Sequence, residues 1–279
     1  MELKKTTRIE SDLIGEREIP GHILYGVQTL RGIENFPISN FHLNDYPLFI
    51  NGLAMTKWAA AVANHRLGLL TDAQKDGIVK ACKEILEGKH HEHFPVDMIQ
   101  GGAGTTTNMN ANEVICNRAL QIMGHEAGEF AHLSPNDHVN CSQSTNDAYP
   151  TAIHLGLYAT YLKFRPHLLD LIESLRAKSR EFAHVLKMGR TQLEDAVPMS
   201  LGQTFGGFAS ILQDEIKNLD FAAEEFLTVN MGATAIGTGI CAQPNYAEYC
   251  IEALREVTGW DIRLSADLVG ATSDTSVMV

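Results

Sequence analysis

Apolar residues recur at helical spacing along most of the chain, and two of these runs are unusually long. After Asp147 the pattern continues for about 40 residues, which corresponds to roughly 60 Å of helix. A second run extends from about Met199 to Val229. Helices of this length are typical of bundles, so the pattern predicts part of a helical bundle in the second half of the chain.

Shorter helices are predicted before the two long runs. Residues 45–70 keep helical spacing, with Pro47 at a position that the first helical turn tolerates. Thr71 and Gln74 have the spacing of a capping box for the next helix. A further helix is predicted after Thr107. Residues 1 to about 40 are mixed and rich in Gly, Pro and Asn, and we expect loops and short extended pieces there.

Three stretches interrupt the helical pattern. Pro166 predicts a kink in the first long helix, and residues 189–198 are expected to turn the chain back. Residues 232–239 are too rich in glycine for a helix and predict a tight loop near a ligand or another subunit. This loop is not a dinucleotide fingerprint, because no strand is predicted before it and no βαβ unit surrounds it.

Two predicted helix starts are rich in hydrogen-bond donors. Ser144, Thr145 and Asn146 precede the first long helix, where unpaired backbone N–H groups and the helix dipole favour an anion. Ser144 with Asp147 can also be a simple capping pair, which explains the same residues without a ligand. Residues 101–110 form a second start of this kind, with glycines that allow close approach of a ligand. Two such starts together favour a site for one dianion.

Composition limits the classes of partner. The chain has 279 residues, 44% of them hydrophobic and 20% charged, enough for one large domain or two ordinary ones. Acidic residues outnumber basic ones by 34 to 22, and the formal net charge of -12 argues against nucleic acid or a membrane as the main partner. An anionic substrate needs a local positive pocket. Arg31 could anchor its carboxylate, although a structural ion pair is the alternative interpretation.

Cysteine and histidine usage indicates neither a disulfide framework nor a metal site. The five cysteines are odd in number and widely spread, with no CxxC, which is typical of a reduced cytoplasmic protein. No apolar run approaches membrane-spanning length, and the charged N-terminus does not resemble an export signal. His90, His91 and His93 surround Glu92, but they lie in a short polar connection, and we expect no metal there.

Several stretches resemble the aspartase/fumarase superfamily when they are taken together. They are residues 101–110, 134–147, 189–198 and 232–239, in that order over nearly the whole chain. Ser-Thr-Asn-Asp at 144–147 and Gly-Arg-Thr-Gln at 189–192 are most similar to aspartate ammonia-lyases. Fumarases usually have Ser-Ser-Asn-Asp and Gly-Arg-Thr-His in these places. Residues 25–31 also resemble the aspartase pattern.

The resemblance implies an all-α fold and a chemistry. Residues 1–141 would form an N-terminal mixed and helical domain, and residues 142–279 an incomplete part of a long central helical bundle. The implied protein is a homotetramer that reversibly eliminates ammonia from L-aspartate to give fumarate, with no cofactor and no metal, at active sites assembled from several subunits. The implied substrate-binding residues are Thr105, Ser144, Thr145, Asn146, Thr191 and Gln192, with Arg31 as a further candidate.

One family motif is missing from these residues. The segment Gly-Ser-Ser-x-Met-Pro-x-Lys-x-Asn, which in the family carries the serine base and a substrate-binding lysine, does not occur in the 279 residues. We therefore expect the chain to be an N-terminal portion that is inactive by itself, and the base is not identified. A fumarate hydratase-like lyase and a non-catalytic oligomeric fragment remain as alternatives.

Overall fold

The computed structural model of the protein describes residues 7–278. Helices dominate it and the strands are short, which confirms the predicted all-α class. The described residues up to Leu157 and those from Phe226 onward form one compact unit, and Tyr158–Glu225 form a second. The predicted domain boundary between residues 141 and 142 stays a prediction.

The elements follow one another with short connections. In chain order they are β1 (Thr7–Asp12), β2 (Gly15–Pro20), α1 (Val27–Asn35), α2 (Pro47–Arg66), α3 (Asp72–Leu86), α4 (Thr105–Ile122), α5 (Thr145–Glu181), β3 (Leu186–Thr191), β4 (Glu194–Ser200), α6 (Leu201–Glu225), β5 (Thr228–Val229), α7 (Tyr246–Thr258), β6 (Arg263–Leu264) and α8 (Leu268–Ser273). The pairs β1–β2 and β3–β4 are antiparallel, whereas β5 and β6 are parallel. A π-helical turn occupies Pro135–Val139.

Helix α2 forms the core of the first unit, where it contacts α3, α4 and α7. It is apolar on nearly every side, and its residues Leu53, Ala59 and Ala60 are buried. A side chain at Gly52 would overlap the carbonyl oxygen of Ala152 in α5, so the glycine permits the close crossing of α2 and α5. None of the helices described within residues 7–278 has both the length and the apolar character of a membrane span.

The start of α1 is held by two carboxylates. Glu113 of α4 is buried and accepts hydrogen bonds from the backbone N–H groups of Gly26, Gln28 and Thr29, at 2.8, 2.8 and 3.0 Å. Glu10 accepts from the N–H of Val27 at 2.9 Å. These bonds satisfy the unpaired donors of a helix N-terminus, which favours negative charge. Burial nevertheless dominates for Glu113 and raises its pKa to about 6.

Local signals in the sequence are confirmed where both partners are close in the chain. The Thr71 hydroxyl accepts a hydrogen bond from the N–H of Gln74 at 3.3 Å, and the Gln74 side chain accepts from the N–H of Thr71 at 3.0 Å. Within residues 7–40, the expected extended pieces form the β1–β2 hairpin, but α1 was not predicted. Helix α5 is continuous through Pro166, and the kink predicted there stays a prediction.

The expected reversal at residues 189–198 is a β-hairpin rather than an irregular turn. Strands β3 and β4 are joined by Gln192 and Leu193, both with positive φ (49° and 70°). Positive φ at both central residues is the geometry that fits the twist of a two-residue hairpin. The following helix, α6, ends at Glu225 instead of Val229, because Thr228–Val229 pair with β6.

A lysine is fully buried in the first unit. The ammonium group of Lys57, on α2, donates hydrogen bonds to Asn108 Oδ1 at 2.7 Å, Gln143 Oε1 at 2.8 Å and Asn140 Oδ1 at 3.0 Å. Three donors therefore meet three amide oxygens. Burial lowers the pKa of Lys57 to about 7, and the charge of the nearby Asp147 opposes this shift.

This buried lysine gives the folding stability a defined pH dependence. Between pH 7 and 10.5 an unfolded chain keeps Lys57 protonated while the folded chain does not, so unfolding takes up a proton. The free energy of unfolding should then rise with pH, by at most about 1.4 kcal/mol per pH unit from this group. Urea unfolding at pH 7, 8.5 and 10 should show a smaller rise in Lys57→Met. The exposed Lys80→Met is the control, and an equal rise in both variants would refute the shift.

Candidate active site

The first turn of α5 is a reciprocal cap. The Ser144 hydroxyl accepts a hydrogen bond from the N–H of Asn146 at 3.2 Å, and Asp147 Oδ1 accepts from the N–H of Ser144 at 2.9 Å. The capping interpretation of Ser144 and Asp147 is therefore confirmed. The hydroxyl of Thr145 is next to this cap and accepts a bond from Asn108 Nδ2 at 3.3 Å.

Asp147 also fixes the glycine-rich loop that follows β5. Its second oxygen, Oδ2, accepts from the N–H groups of Gly232 at 3.1 Å and Thr234 at 3.0 Å. Asn146 reinforces the same contact, because its side chain donates to the carbonyl of Ala235 at 2.7 Å. Burial raises the pKa of Asp147, although backbone N–H groups favour its charged form. The loop predicted at residues 232–239 therefore packs against the start of α5.

The segment before α5 rests on one face of α2. Lys57 and Asn64 are two helical turns apart and both reach this segment. Lys57 binds Asn140 and Gln143, while Asn64 donates to the carbonyl of Cys141 at 2.9 Å and accepts from the Ser142 hydroxyl at 2.8 Å. Residues 140–143 are thus held by side chains from the core, and they determine where Ser144 and Thr145 begin the helix.

The start of α4 approaches the same place. Gly102 and Gly104 have positive φ (71° and 93°), and a Cβ at Gly104 would overlap the ring of Tyr149. These glycines allow the backbone before α4 to pack directly on α5. The hydroxyl of Thr105 donates to the carbonyl of Gly102 at 2.6 Å, and its role in substrate binding stays a prediction.

A cavity of about 350 Å³ lies where the two helix starts meet. Its lining includes Gly104, Thr145 and Asn146, together with Thr272 and Thr275 from the end of the described chain. Helix N-termini and hydroxyl groups can bind an anion. The residues that line the whole cavity are Met98, Gln100, Ala103, Gly104, Thr145, Asn146, Tyr149, Pro150, Ile153, Ala271, Thr272, Asp274, Thr275 and Met278.

Within the described chain, the lining of this cavity offers backbone dipoles but no cationic side chain to an anion. No Lys, Arg or His is among its lining residues, all of which belong to the described part of the chain. Asp274 is among them, and hydrogen bonds from the backbone N–H and the hydroxyl of Ser276 lower its pKa. The positive pocket expected from the sequence is therefore not completed by side chains at this cavity.

The structure does not place every predicted site residue at this cavity. Arg31 forms a bidentate ion pair with Asp12, with both N–O distances at 2.8 Å, and also donates to the carbonyl of Gly15. The structural alternative for Arg31 is thus confirmed, and its role in substrate binding stays a prediction. Thr191 and Gln192 lie at the tip of the β3–β4 hairpin in the second unit, where both are exposed.

One core residue that holds the site in place, Lys57, was not predicted from the sequence. Lys57 was not singled out, although it is the only charged residue within the apolar run 52–63. Such an isolated lysine inside a helical apolar pattern is a usable signal, because an uncompensated buried charge is costly. Its partners Asn108, Asn140 and Gln143 lie in stretches that the sequence did single out, but their contact with Lys57 joins positions distant in the sequence and was not predicted.

Comparison with known proteins gives relatives along nearly the whole chain. Residues 15–279 match the profile of a family described as lyase. The aspartate ammonia-lyase of Pseudomonas aeruginosa is 52% identical over 275 residues, covering 98% of this chain and 58% of the relative. The aspartate ammonia-lyase of Escherichia coli K12 is 49% identical over 278 residues, covering 99% and 58%. The chain thus spans somewhat more than half the length of these curated relatives.

Solved structures agree with the sequence comparison. A cobalt-bound structure from Brucella melitensis, described as fumarate lyase:delta crystallin, has a TM-score of 0.94 at 48% identity, covering 98% of this chain and 59% of that one. The class II fumarase of Schistosoma mansoni has a TM-score of 0.84 at 35% identity, covering 95% and 59%. With the family profile matched from residue 15 onward and the motifs in register, this chain belongs to the lyase family, within the aspartase/fumarase superfamily.

Proposed function

We propose that the chain belongs to an aspartate ammonia-lyase and supplies part of the site that eliminates ammonia from L-aspartate. The observation that carries this proposal is the cavity at the starts of α4 and α5, where Thr145 and Asn146 lie beside Gly104. The aspartase-type motifs at 144–147 and 189–192 support it, as does the 52% identity to the aspartate ammonia-lyase of Pseudomonas aeruginosa.

The chemistry of the reaction explains what these residues would do. Elimination begins with removal of a weakly acidic proton beside a carboxylate, and negative charge then accumulates on that carboxylate. Preorganised donors stabilise such charge without reorganising during the reaction. The Thr145 hydroxyl is a donor of this kind and the dipole of α5 adds to it, whereas the N–H groups of Asn146 and Ala148 are already bonded within the cap. The core network of Lys57, Asn108 and Asn140 would hold Thr145 in place.

Other parts of the site must come from outside this cavity. Its lining contains Asp274 and no cationic side chain, so a dicarboxylate would still need a positive group and a base. In the superfamily that the chain resembles, the serine loop supplies the base and a substrate-binding lysine, and each active site is assembled from several subunits. We propose on the same grounds that Arg31 and the further predicted residues act in substrate binding in the assembled enzyme. These further residues are Thr105, Ser144, Thr191 and Gln192.

Assembly into a homo-oligomer is part of the proposal. In the second unit, α5 and α6 bury Ile172, Ala209 and Ile216 against each other. A groove of about 340 Å³ beside this contact is entirely apolar, and its residues Phe208 and Ile211 are 52% and 62% exposed. Such a face favours association with further helices, consistent with the homotetramer that the resemblance implies.

The proposed compartment is the cytoplasm. All five cysteines are free thiols, and Cys82, Cys116 and Cys250 are buried. Unpaired buried thiols fit a reducing compartment, where disulfides are rare.

A chimera tests the reaction itself. Residues 1–279 would be joined to the part of the Pseudomonas aeruginosa relative that the match leaves uncovered, so that the missing serine motif can be supplied. We expect fumarate and ammonia to form from L-aspartate, followed by fumarate absorbance, and no turnover from residues 1–279 alone. Dehydration of malate without ammonia release would instead favour a fumarase. A folded, oligomeric chimera active on neither substrate would favour a non-catalytic role.

Thr145 gives a sharper test within that chimera. Thr145→Val removes the hydroxyl but keeps the shape, and we expect kcat to fall by ~10²-fold or more, as for a lost oxyanion donor. Thr145→Ser should restore most of the activity. Thr71→Val is the matched control, since it removes a capping hydroxyl elsewhere and should cost ~1 kcal/mol of stability with kcat unchanged. If Thr145→Val behaves like Thr71→Val, Thr145 only supports the helix.

Asn146 needs a separate measurement because it has a structural bond. Its side chain donates to the carbonyl of Ala235, so Asn146→Ala should lower stability by ~1 kcal/mol even without a catalytic role. A substrate contact would add a loss of ~10²-fold in turnover. Thermal unfolding and aspartate turnover are therefore measured together, and a loss of stability alone would remove Asn146 from the substrate site.

The oligomer is tested on the apolar groove of the second unit. Phe208→Asp with Ile211→Asp should shift sedimentation velocity toward smaller species, because buried charge at a subunit contact is costly. Lys217→Asp, on the same helix and exposed, is the control and should leave the distribution unchanged. An unchanged distribution in the double variant, or a monomeric wild-type chain, would contradict the proposed contact.

A further inference from the structure

A group of metal-ligating side chains lies in the loop after α4. His125, Glu129 and His132 each present one ligand atom, and these atoms all lie within 4.8 Å of one another. The rings of His125 and His132 are stacked, with centroids 3.9 Å apart and planes 12° from parallel. Glu129 Oε2 is 3.3 Å from His125 Nδ1. Two imidazoles and a carboxylate therefore share one small volume.

The backbone of this loop is already fixed. The N–H of His125 donates to the carbonyl of Leu120 at 2.9 Å, at the end of α4. The N–H of His132 donates to the carbonyl of Glu129 at 3.1 Å, and its own carbonyl accepts from Gln74 Nε2 at 3.1 Å. A ligand set on a fixed backbone loses less conformational entropy when it closes around an ion.

The charges of the loop favour a cation. Residues 125–132 contain two carboxylates and two imidazoles, and no Lys or Arg. A neutral imidazole carries one in-plane nitrogen lone pair, which is the group that binds a metal ion. Glu129 leaves a negative charge beside the two rings. A divalent cation would bind both lone pairs and neutralise the carboxylate.

The distances are close to those of a bound ion. Bonds of about 2.0–2.2 Å from a tetrahedral ion place its ligand atoms roughly 3.3–3.5 Å apart. The ligand atoms here are within 4.8 Å, but the two ring planes are only 12° from parallel, so their in-plane lone pairs do not yet converge. Closure around an ion therefore requires one ring to rotate out of the stack as well as a shift of about an ångström. His132 and Glu129 are exposed and His125 is partly exposed, so their side chains can move that far without disturbing the core.

We propose that His125, Glu129 and His132 form a three-ligand site for a borderline divalent transition-metal ion such as Zn²⁺, Co²⁺ or Ni²⁺. Imidazole ligands favour these ions over Mg²⁺ and Ca²⁺, which take mainly oxygen ligands. The ion would connect the end of α4 to the segment that enters the Pro135–Val139 turn. The site is independent of the lyase reaction and involves none of the residues that line the cavity at α4 and α5.

A second histidine cluster is a weaker candidate. His90, Glu92 and His93 also lie within reach of one another. However, His90 Nε2 is bound to Glu84 at 2.8 Å, and the guanidinium of Arg118 binds the same carboxylate at 2.9 Å. A cation there would compete with an existing bond and face a positive charge. This cluster is therefore the internal control for the site at His125.

The test is titration of the purified chain with CoCl₂, followed by calorimetry and visible absorption. Wild type should bind one ion with nitrogen and oxygen ligation and should melt at a higher temperature when it is saturated. His132→Ala and Glu129→Gln should each weaken binding, by on the order of 10-fold or more. His90→Ala and the exposed His167→Ala should bind like wild type. Circular dichroism without metal checks that every variant is folded.

Several results would overturn the site. They are absence of binding at millimolar CoCl₂, equal affinity in wild type and His132→Ala, or loss of binding in His90→Ala alone. Thiolate-to-cobalt absorption bands would assign the ion to the exposed Cys241 instead. Aspartate turnover is not a readout here, so failure of this site and failure of the proposed reaction are separate results.

Discussion

The start of α5 depends on one buried carboxylate. Asp147 accepts hydrogen bonds from the N–H groups of Ser144 and Ala148 in its own segment, and from those of Gly232 and Thr234 in a loop some 85 residues away. Removing such a group would leave the N–H groups of Ser144, Gly232 and Thr234 without this acceptor, the last two of them buried, which is far more costly than losing one bond. The candidate site is thus a consequence of how the fold satisfies its own backbone.

Lys57 has the complementary role on the other side of the same segment. It offers donors to amide oxygens, whereas Asp147 offers acceptors to amide N–H groups. Residues 140–147 are therefore held between a buried cation and a buried anion that attract each other at a distance. Neither group contacts the cavity that we assign to the substrate, yet together they determine the positions of Thr145 and Asn146, which do. The geometry of the site is therefore fixed by the buried residues Lys57 and Asp147, which support it without lining the cavity.

The parts of this arrangement that could be predicted from sequence are the local ones. The pairs Thr71 with Gln74 and Ser144 with Asp147 are three residues apart, so helix geometry alone brings their atoms together. Long apolar runs likewise predicted α5 and α6, because periodicity identifies a helix without knowledge of its neighbours.

What could not be predicted depends on contacts distant in sequence. The bonds between Asp147 and the loop at 232–234, and those from Lys57 to Asn108 and Asn140, required the fold. Arg31 shows the same limit, since its partner Asp12 is brought to it by the β1–β2 hairpin.

The buried amine of Lys57 has a further consequence for its reactivity. An amine with a pKa of about 7 has a substantial uncharged, nucleophilic fraction at neutral pH, but this one is shielded from reagents while the core is closed. The rate at which Lys57 is acylated therefore measures how often the core of the first unit opens. The lysine is thus a built-in chemical probe of local unfolding.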